Sequence, residues 1–259
     1  MGMTGAASIH LQFEAARKEY DTQDGRLLAL DDVTFSVRKG EFVSIIGPSG
    51  CGKSTLLKVV LGVTGITGGR ALLNGKMVTG PQLGAGMVFQ SAALLPWRNV
   101  LDNVLLPIEV LGQSRRDHED AAVKLLALAG LSGFERKLPN ELSGGMQQRV
   151  AICRALIHDP ALLLMDEPFG ALDALTREVM QALLLKLWAE TGKTVLFVTH
   201  SIDEAVLLSD RVLVMSARPG RIMAEIEIDV PRPRDQAART LPQFQAYAQD
   251  LRRMLGVGG

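Results

Sequence analysis

An α/β fold with a parallel sheet is predicted for this chain of 259 residues by three observations. The apolar run Glu41-Phe42-Val43-Ser44-Ile45-Ile46 feeds the segment Gly47-Pro48-Ser49-Gly50-Cys51-Gly52-Lys53-Ser54-Thr55, and helical apolar spacing (Leu56, Leu57, Val60, Leu61) follows over 53–61. That segment matches G-x-x-x-x-G-K-[ST] without a mismatch, in the strand, loop and helix context in which the pattern cradles phosphate. Further along, the strand-sized runs 161–165 and 194–199 are apolar and separated by the helical stretch 173–190, an alternation that implies parallel strands buried on both faces. Between 91 and 155 the pattern is helical instead, so a helical subdomain is inserted into the α/β core.

The elements follow in order. Residues 9–46 read as strands, with Asp32-Val33-Thr34-Phe35-Ser36-Val37 alternating cleanly. Asn74-Gly75 is a tight hairpin turn. Helices are expected over 99–111, over 114–129 where Gly130 stops the pattern, and from near Ser143. A strand pair surrounds Ala217-Arg218-Pro219-Gly220, and Pro231-Arg232-Pro233-Arg234 reads as a linker. Leu241, Phe244, Tyr247, Leu251 and Leu255 then share one face of a final helix. The expected organisation is one domain over 1–230, with core segments 8–90 and 156–230 around the insertion 91–155, and a linker and helix over 231–259.

Composition excludes several partners. Lys plus Arg and Asp plus Glu each total 28, so no net positive field draws the chain to nucleic acid or an anionic surface. No apolar run approaches the roughly 20 residues that span a bilayer. The N-terminus has no basic start and no apolar leader, and Ala6 stands where an acylation signal needs Ser or Thr. A cytoplasmic chain is expected. Cys51 and Cys153 form no disulfide framework, and both are expected as reduced thiols.

The glycines of 47–52 let backbone N–H groups converge at the positive end of the next helix. Lys53 can reach the β and γ phosphates, Ser54 offers a hydroxyl to Mg²⁺, and Thr55 is placed for the α phosphate. The strand Leu162-Leu163-Leu164-Met165 ends in Asp166 and Glu167. A carboxylate at such a strand end holds Mg²⁺, and a second polarises the attacking water. Ninety residues beyond Lys53 comes Leu142-Ser143-Gly144-Gly145-Met146-Gln147-Gln148-Arg149, in which Ser143 suits a helix cap and two glycines admit phosphate to bare backbone.

Together the phosphate loop and the Ser143 segment resemble the Walker A and signature motifs of the ABC ATPases, over about residues 8–222. That resemblance implies a P-loop NTPase fold with a RecA-like core, an antiparallel β subdomain and the inserted helical one. It implies ATP and Mg²⁺ as cofactors, with Gly47, Pro48, Ser49, Gly50, Cys51, Gly52, Lys53, Ser54 and Thr55 around the phosphates. Lys53, Gln90, Glu167 and His200 take catalytic roles, and Ser54, Gln90 and Asp166 face the metal. Gln90 corresponds to the Q-loop glutamine and His200 to the switch histidine that meets the γ phosphate. Ser201 departs from the Asp often found next to that histidine. Tyr20 is the expected adenine-stacking aromatic, with Phe13 as the alternative.

In the family, Ser143, Gly144, Gly145 and Gln147 bind ATP held by an opposite subunit, and Asp173 lies in the D-loop that crosses to it. The implied partners are therefore a second copy of the chain, head to tail, transmembrane permease subunits, and indirectly a solute-binding protein, at the cytoplasmic face of a bacterial inner membrane. Segments 93–104, 167–177 and 183–188 are similar to the nitrate, sulfonate and taurine importer branch, the taurine type most of all. The alternatives are an ABC ATPase of another transport system, or a soluble one acting on ribosomes or DNA. The latter two kinds carry a second cassette or a long coiled coil, and neither pattern is in this sequence.

Overall fold

The computed structural model describes residues 8–23 and 25–256. The expectation for residues 1–7, no leader and no acylation signal, lies outside the described residues. From the N-terminal side come β1 (Ile9–Thr22), β2 (Gly25–Arg38), β3 (Phe42–Ile46), α1 (Lys53–Val60), β4 (Gly68–Leu73) and β5 (Lys76–Met77). Next are β6 (Ala85–Val88), α2 (Val100–Val110), α3 (Arg115–Leu128), α4 (Gly144–Leu156), β7 (Leu162–Asp166) and α5 (Ala174–Thr191). The chain continues through β8 (Thr194–Val198), α6 (Ile202–Leu208), β9 (Arg211–Met215), β10 (Ile222–Glu227) and α7 (Pro242–Met254). These elements form two compact units, Met1–Leu83 with Thr194–Gly259, and Gly84–Lys193.

The first unit contains an antiparallel sheet in the order β2-β1-β4-β5. Phe13 on β1 stacks on Phe35 of β2 with ring centroids 4.9 Å apart. Asn74 and Gly75 both adopt positive φ, 51° and 73°, the backbone that a two-residue hairpin between β4 and β5 requires. The same unit carries the parallel strands: β3 pairs with β8 on one side and β9 on the other, and β10 adds antiparallel to β9. Every residue of β3, β8 and β9 is buried, which is why these strands read as apolar or small-polar runs, save for Arg211 at the start of β9, which pairs with Glu41 and Glu225.

Two features of this unit differ from expectation. The seven-residue helix α6 has no counterpart in the sequence reading, because Ala205-Val206-Leu207-Leu208 lies buried on all sides and shows no helical stripe. The 231–234 stretch is fastened rather than loose. Arg232 donates to Leu208 O at 2.7 Å and pairs with Asp210, while Arg234, 6% exposed, donates to the carbonyls of Val206, Ser209, Ile228 and Val230.

In the second unit β6 and β7 pair in parallel, and α2, α3 and α4 enclose a core that includes Val100, Val104, Leu105, Ile108, Leu126, Leu131 and Val150. Burying each such side chain contributes about 1.5–3 kcal/mol. The helix starts are set by Asn99, which accepts from Asp102 N, by Ser143, which accepts from Met146 N, and by Asp173, which accepts from Thr176 N. Gly86 on β6 lies so close to α4 that a Cβ would come 2.3 Å from Ala155 O.

Candidate nucleotide-binding site

The phosphate loop leaves the C-terminal end of β3, the edge at which parallel α/β sheets carry ligands. Gly50 and Gly52 adopt φ of +74° and +106°, a conformation that other residues rarely take. At Gly52 space adds a second reason, since a Cβ would lie 2.8 Å from Leu30 Cδ2 and 2.9 Å from Ala29 O. α1 begins at Lys53 with no side-chain cap and no acidic residue in its first turn. Its first amides thus have no intrahelical acceptors and no built-in anion, which makes this terminus a fitting seat for phosphate.

Lys53 is buried, and its ammonium donates to Gly47 O at 2.8 Å and Pro48 O at 2.9 Å. Both acceptors belong to the loop itself, so the cation is held against the backbone that would surround a phosphate. Pro48, Ser49, Gly50 and Ser54 are exposed and Thr55 is half-buried. Cys51 is fully buried, its sulfur 3.8 Å from Lys53 Nζ.

His200 is exposed at the end of β8. The backbone after it is tied by three bonds: Ser201 N donates to Thr199 Oγ1, Thr199 Oγ1 donates to Glu204 Oε2 at 2.6 Å, and Ser201 Oγ accepts from Glu204 N. Ser201 is the N-cap of α6, a task Ser and Asp both perform, so Ser at this position keeps the local structure. Tyr20 sits half-buried on β1 with Lys18 Nζ 4.8 Å from its ring centroid, a cation–π contact within the chain. Phe13 is completely buried and packed on Phe35, so it has no face to offer a base.

In the second unit, Asp166 and Glu167 are half-buried at the end of β7. Glu167 has φ of +47°, an uncommon backbone for a non-glycine residue, in a loop closed by Gly170 N donating to Glu167 O. Gln90 is brought to this loop: a Cβ on Gly170 would be 3.2 Å from Gln90 Nε2. Ser143 and Gly144 are exposed at the start of α4, with open space beside Gly144. Gln147 donates from its amide to Pro139 O at 2.9 Å and Leu142 O at 3.3 Å, which ties the preceding turn to the helix. Asp173 caps α5, and the hydrogen bond from Thr176 holds its carboxyl below the ordinary value.

Among the described residues, no group of three or more His, Cys, Asp or Glu is arranged to hold a metal ion. Mg²⁺ commonly takes one or two protein ligands and completes its shell with substrate phosphates and water, so a site for it needs no such cluster.

The ABC transporter profile matches residues 30–170, more than half of the chain. This chain belongs to the ABC transporter family. Among its relatives, an uncharacterized ABC transporter ATP-binding protein of Methanocaldococcus jannaschii is 48% identical over 247 residues, covering 95% of this chain and 91% of the relative. The taurine import ATP-binding protein TauB of Ruegeria pomeroyi is 49% identical over 249 residues, covering 95% and 93%. A bacterial ABC transporter cassette solved as a dimer superposes with a TM-score of 0.74 at 35% identity, over 84% of this chain and 98% of that one. Its post-hydrolysis state, bound to ADP and Pi, gives a TM-score of 0.72 at 34% identity over the same shares. The fold is the ABC ATPase cassette.

Several side chains of this cassette make contacts around Gln90 and α2 that sequence reasoning did not assign. Gln148 donates to Phe89 O at 2.9 Å, and Arg154 reaches Ala92 O and Ala93 O at 2.6 and 2.8 Å. The helix that begins at the signature segment thereby fastens the backbone on both sides of Gln90. Asn103, fully buried, accepts from Leu95 N and donates to Leu95 O, Arg98 O and Asn99 O, which folds the 95–99 loop onto α2. Single Gln, Arg and Asn residues within α2 and α4 carry no sequence signal for such contacts. Only the carbonyls they meet reveal them.

Proposed function

We propose that this chain is the ATP-binding and ATP-hydrolysing subunit of an ABC importer, acting as a head-to-tail homodimer at the cytoplasmic face of the cell membrane. In this reading it energises uptake of a small anion, taurine or another alkanesulfonate or nitrate, through separate permease subunits. The observation that carries the ATPase reading is the presence in one chain of an uncapped, acid-free α1 terminus behind a phosphate loop and a second exposed Ser-Gly terminus on α4. The importer reading is supported by likeness to TauB over nearly the whole chain.

Lys53 and the loop amides hold the β and γ phosphates, with Ser54, Gln90 and Asp166 serving the Mg²⁺ site. The ion, when bound with the phosphates, neutralises charge that develops on them. Tyr20 stacks on the adenine. Glu167 orients and polarises the attacking water, and His200 contacts the γ phosphate. Ser143, Gly144 and Gly145 of one subunit complete the site of the other, and Asp173 lies at the same subunit junction. ATP therefore closes the dimer and hydrolysis reopens it.

Glu167→Gln tests the chemistry. It is expected to bind ATP as the parent does, to lose turnover, and to elute as a dimer in ATP on size exclusion. An unchanged ATPase rate removes Glu167 from its role. For the transport reading, the genes adjoining this one should encode a permease and a solute-binding protein, and the chain should co-purify with that permease from membranes.

A further inference from the structure

We propose that Arg218 is a nucleotide-binding residue: a second fixed cation at the rim of the phosphate loop that helps hold the polyphosphate. It lies outside every motif considered above, on the turn between β9 and β10. The proposal rests on the ATP reading for the identity of its ligand, while its geometry stands on its own.

The turn that carries Arg218 is firmly attached. Ser216 N donates to Arg221 O, and Arg221 N donates back to Ser216 Oγ at 2.9 Å. Gly220 N donates to Ala29 O, Asp31 N donates to Gly220 O, and Arg221 forms an ion pair with Asp31. The turn is also pressed onto the phosphate loop, since a Cβ on Gly220 would lie 2.1 Å from Cys51 O and one on Gly47 would lie 2.9 Å from Met215 O. From this platform Arg218 Nε donates to Gly50 O at 3.1 Å, and its Nη2 stands 3.1 Å from where a Gly50 Cβ would be. The guanidinium is thus laid along the one loop residue whose conformation demands glycine and whose backbone is exposed.

Charge then decides what the arrangement is for. Arg218 is exposed, and no carboxylate among the described residues is paired with it, whereas its neighbour Arg221 has Asp31. One of its five N–H donors serves Gly50 O, and no other hydrogen bond of the guanidinium is formed among the described residues. Nearby are the Lys53 ammonium and the positive end of α1, with no acid in the first helical turn to offset them. Two cations beside a helix N-terminus repel one another in the absence of an anion. A polyphosphate relieves that repulsion and offers oxygens suited to the forked guanidinium.

Holding Gly50 in place and supplying charge are separable tasks. Titration with a fluorescent ATP analogue, with adenosine and with inorganic tripolyphosphate should be run on the full chain and on Arg218→Ala, Arg218→Gln and Arg218→Lys. Arg218→Ala is expected to weaken binding of the ATP analogue and of tripolyphosphate by about 10-fold, as loss of one charge-assisted contact does. Adenosine binding and the melting temperature should stay as in the parent. Arg218→Gln keeps a donor for Gly50 O but no charge, and should bind as weakly as Arg218→Ala, with Arg218→Lys in between. Parent-like triphosphate binding by Arg218→Gln would overturn the charge role and leave only a brace. Equal losses for adenosine and triphosphate would overturn direct phosphate contact. A parent chain that binds tripolyphosphate through Arg218 but no ATP would overturn the nucleotide reading and keep the anion site, and one that binds neither would overturn both.

Discussion

A Cβ on Gly145 would lie 2.3 Å from Cγ2 of Thr176, whereas one on Gly144 would meet nothing. The two signature glycines therefore have different physical reasons to be glycine. Gly144 leaves backbone bare at an exposed helix start, and Gly145 makes room for α5, whose capping residue Asp173 bonds to Thr176 N. Gly145→Ala should destabilise the fold by about 1–3 kcal/mol through overpacking. Thr176→Ser removes the offending methyl, so the double variant should recover most of that loss in urea unfolding. Simple additivity of the two changes would refute the contact as the cause. The sequence reading attributed both glycines to phosphate approach, because a string of residues does not display the side chain of Thr176 against position 145.

At the scale of elements, α6 depends on partners from outside its own seven residues. Its N-terminus is capped by Ser201 and braced by the Thr199 and Glu204 pair. Its C-terminal carbonyls are taken by two arginines: Leu208 O by Arg232, and Val206 O and Ser209 O by Arg234. α7 covers it with the buried Phe244, Ala248 and Leu251, and Arg252 pairs with Asp203 at 3.2 Å. Burial lowers the Arg234 pKa to about 10, still far enough above neutrality to keep the guanidinium charged. Replacing Arg234 with Met leaves four carbonyls without their donor, for an expected loss of about 3 kcal/mol in unfolding free energy. Arg234→Lys should not rescue it, since three donors on one nitrogen cannot span what a planar fork spans. Recovery by Lys, measured by denaturant titration, would show that charge rather than geometry matters there. Composition alone assigned residues 231–234 to a linker, because Pro and Arg in alternation look solvated until their acceptors are known.

At the scale of the whole molecule, His10 ties the start of β1 to the start of β8. It is buried, with Nδ1 2.7 Å from Thr194 Oγ1, and that hydroxyl also accepts from Gly40 N. Burial first, and the charge of Lys39 second, hold the His10 pKa below its ordinary value. The unfolded chain titrates this group at about pH 6.5. As pH falls below that value the unfolded chain takes up a proton that the folded chain resists, so stability declines until the lower folded value is passed. Above about pH 7 the group contributes no slope. Urea midpoints of the parent should therefore fall more steeply from pH 7 to pH 5 than those of His10→Gln, and parallel slopes would exclude His10 as a source of acid sensitivity.

What the sequence determined by itself is whatever depends on local spacing: the strand, loop and helix around residues 42–60, the alternation behind the parallel strands, and the hairpin at Asn74-Gly75. These features were legible because each needs particular residue types at short, fixed separations. Tertiary structure alone decided that Phe13 is core, that Gly145 answers to Thr176, that Arg234 clamps α6, and that Gln148 and Arg154 hold the backbone around Gln90. Arg218 belongs with them, 168 residues from Gly50 in the chain and hydrogen-bonded to it in the fold. The physical reason is the same in each case: the partners are brought together by the fold, and neither carries a local pattern that announces the other.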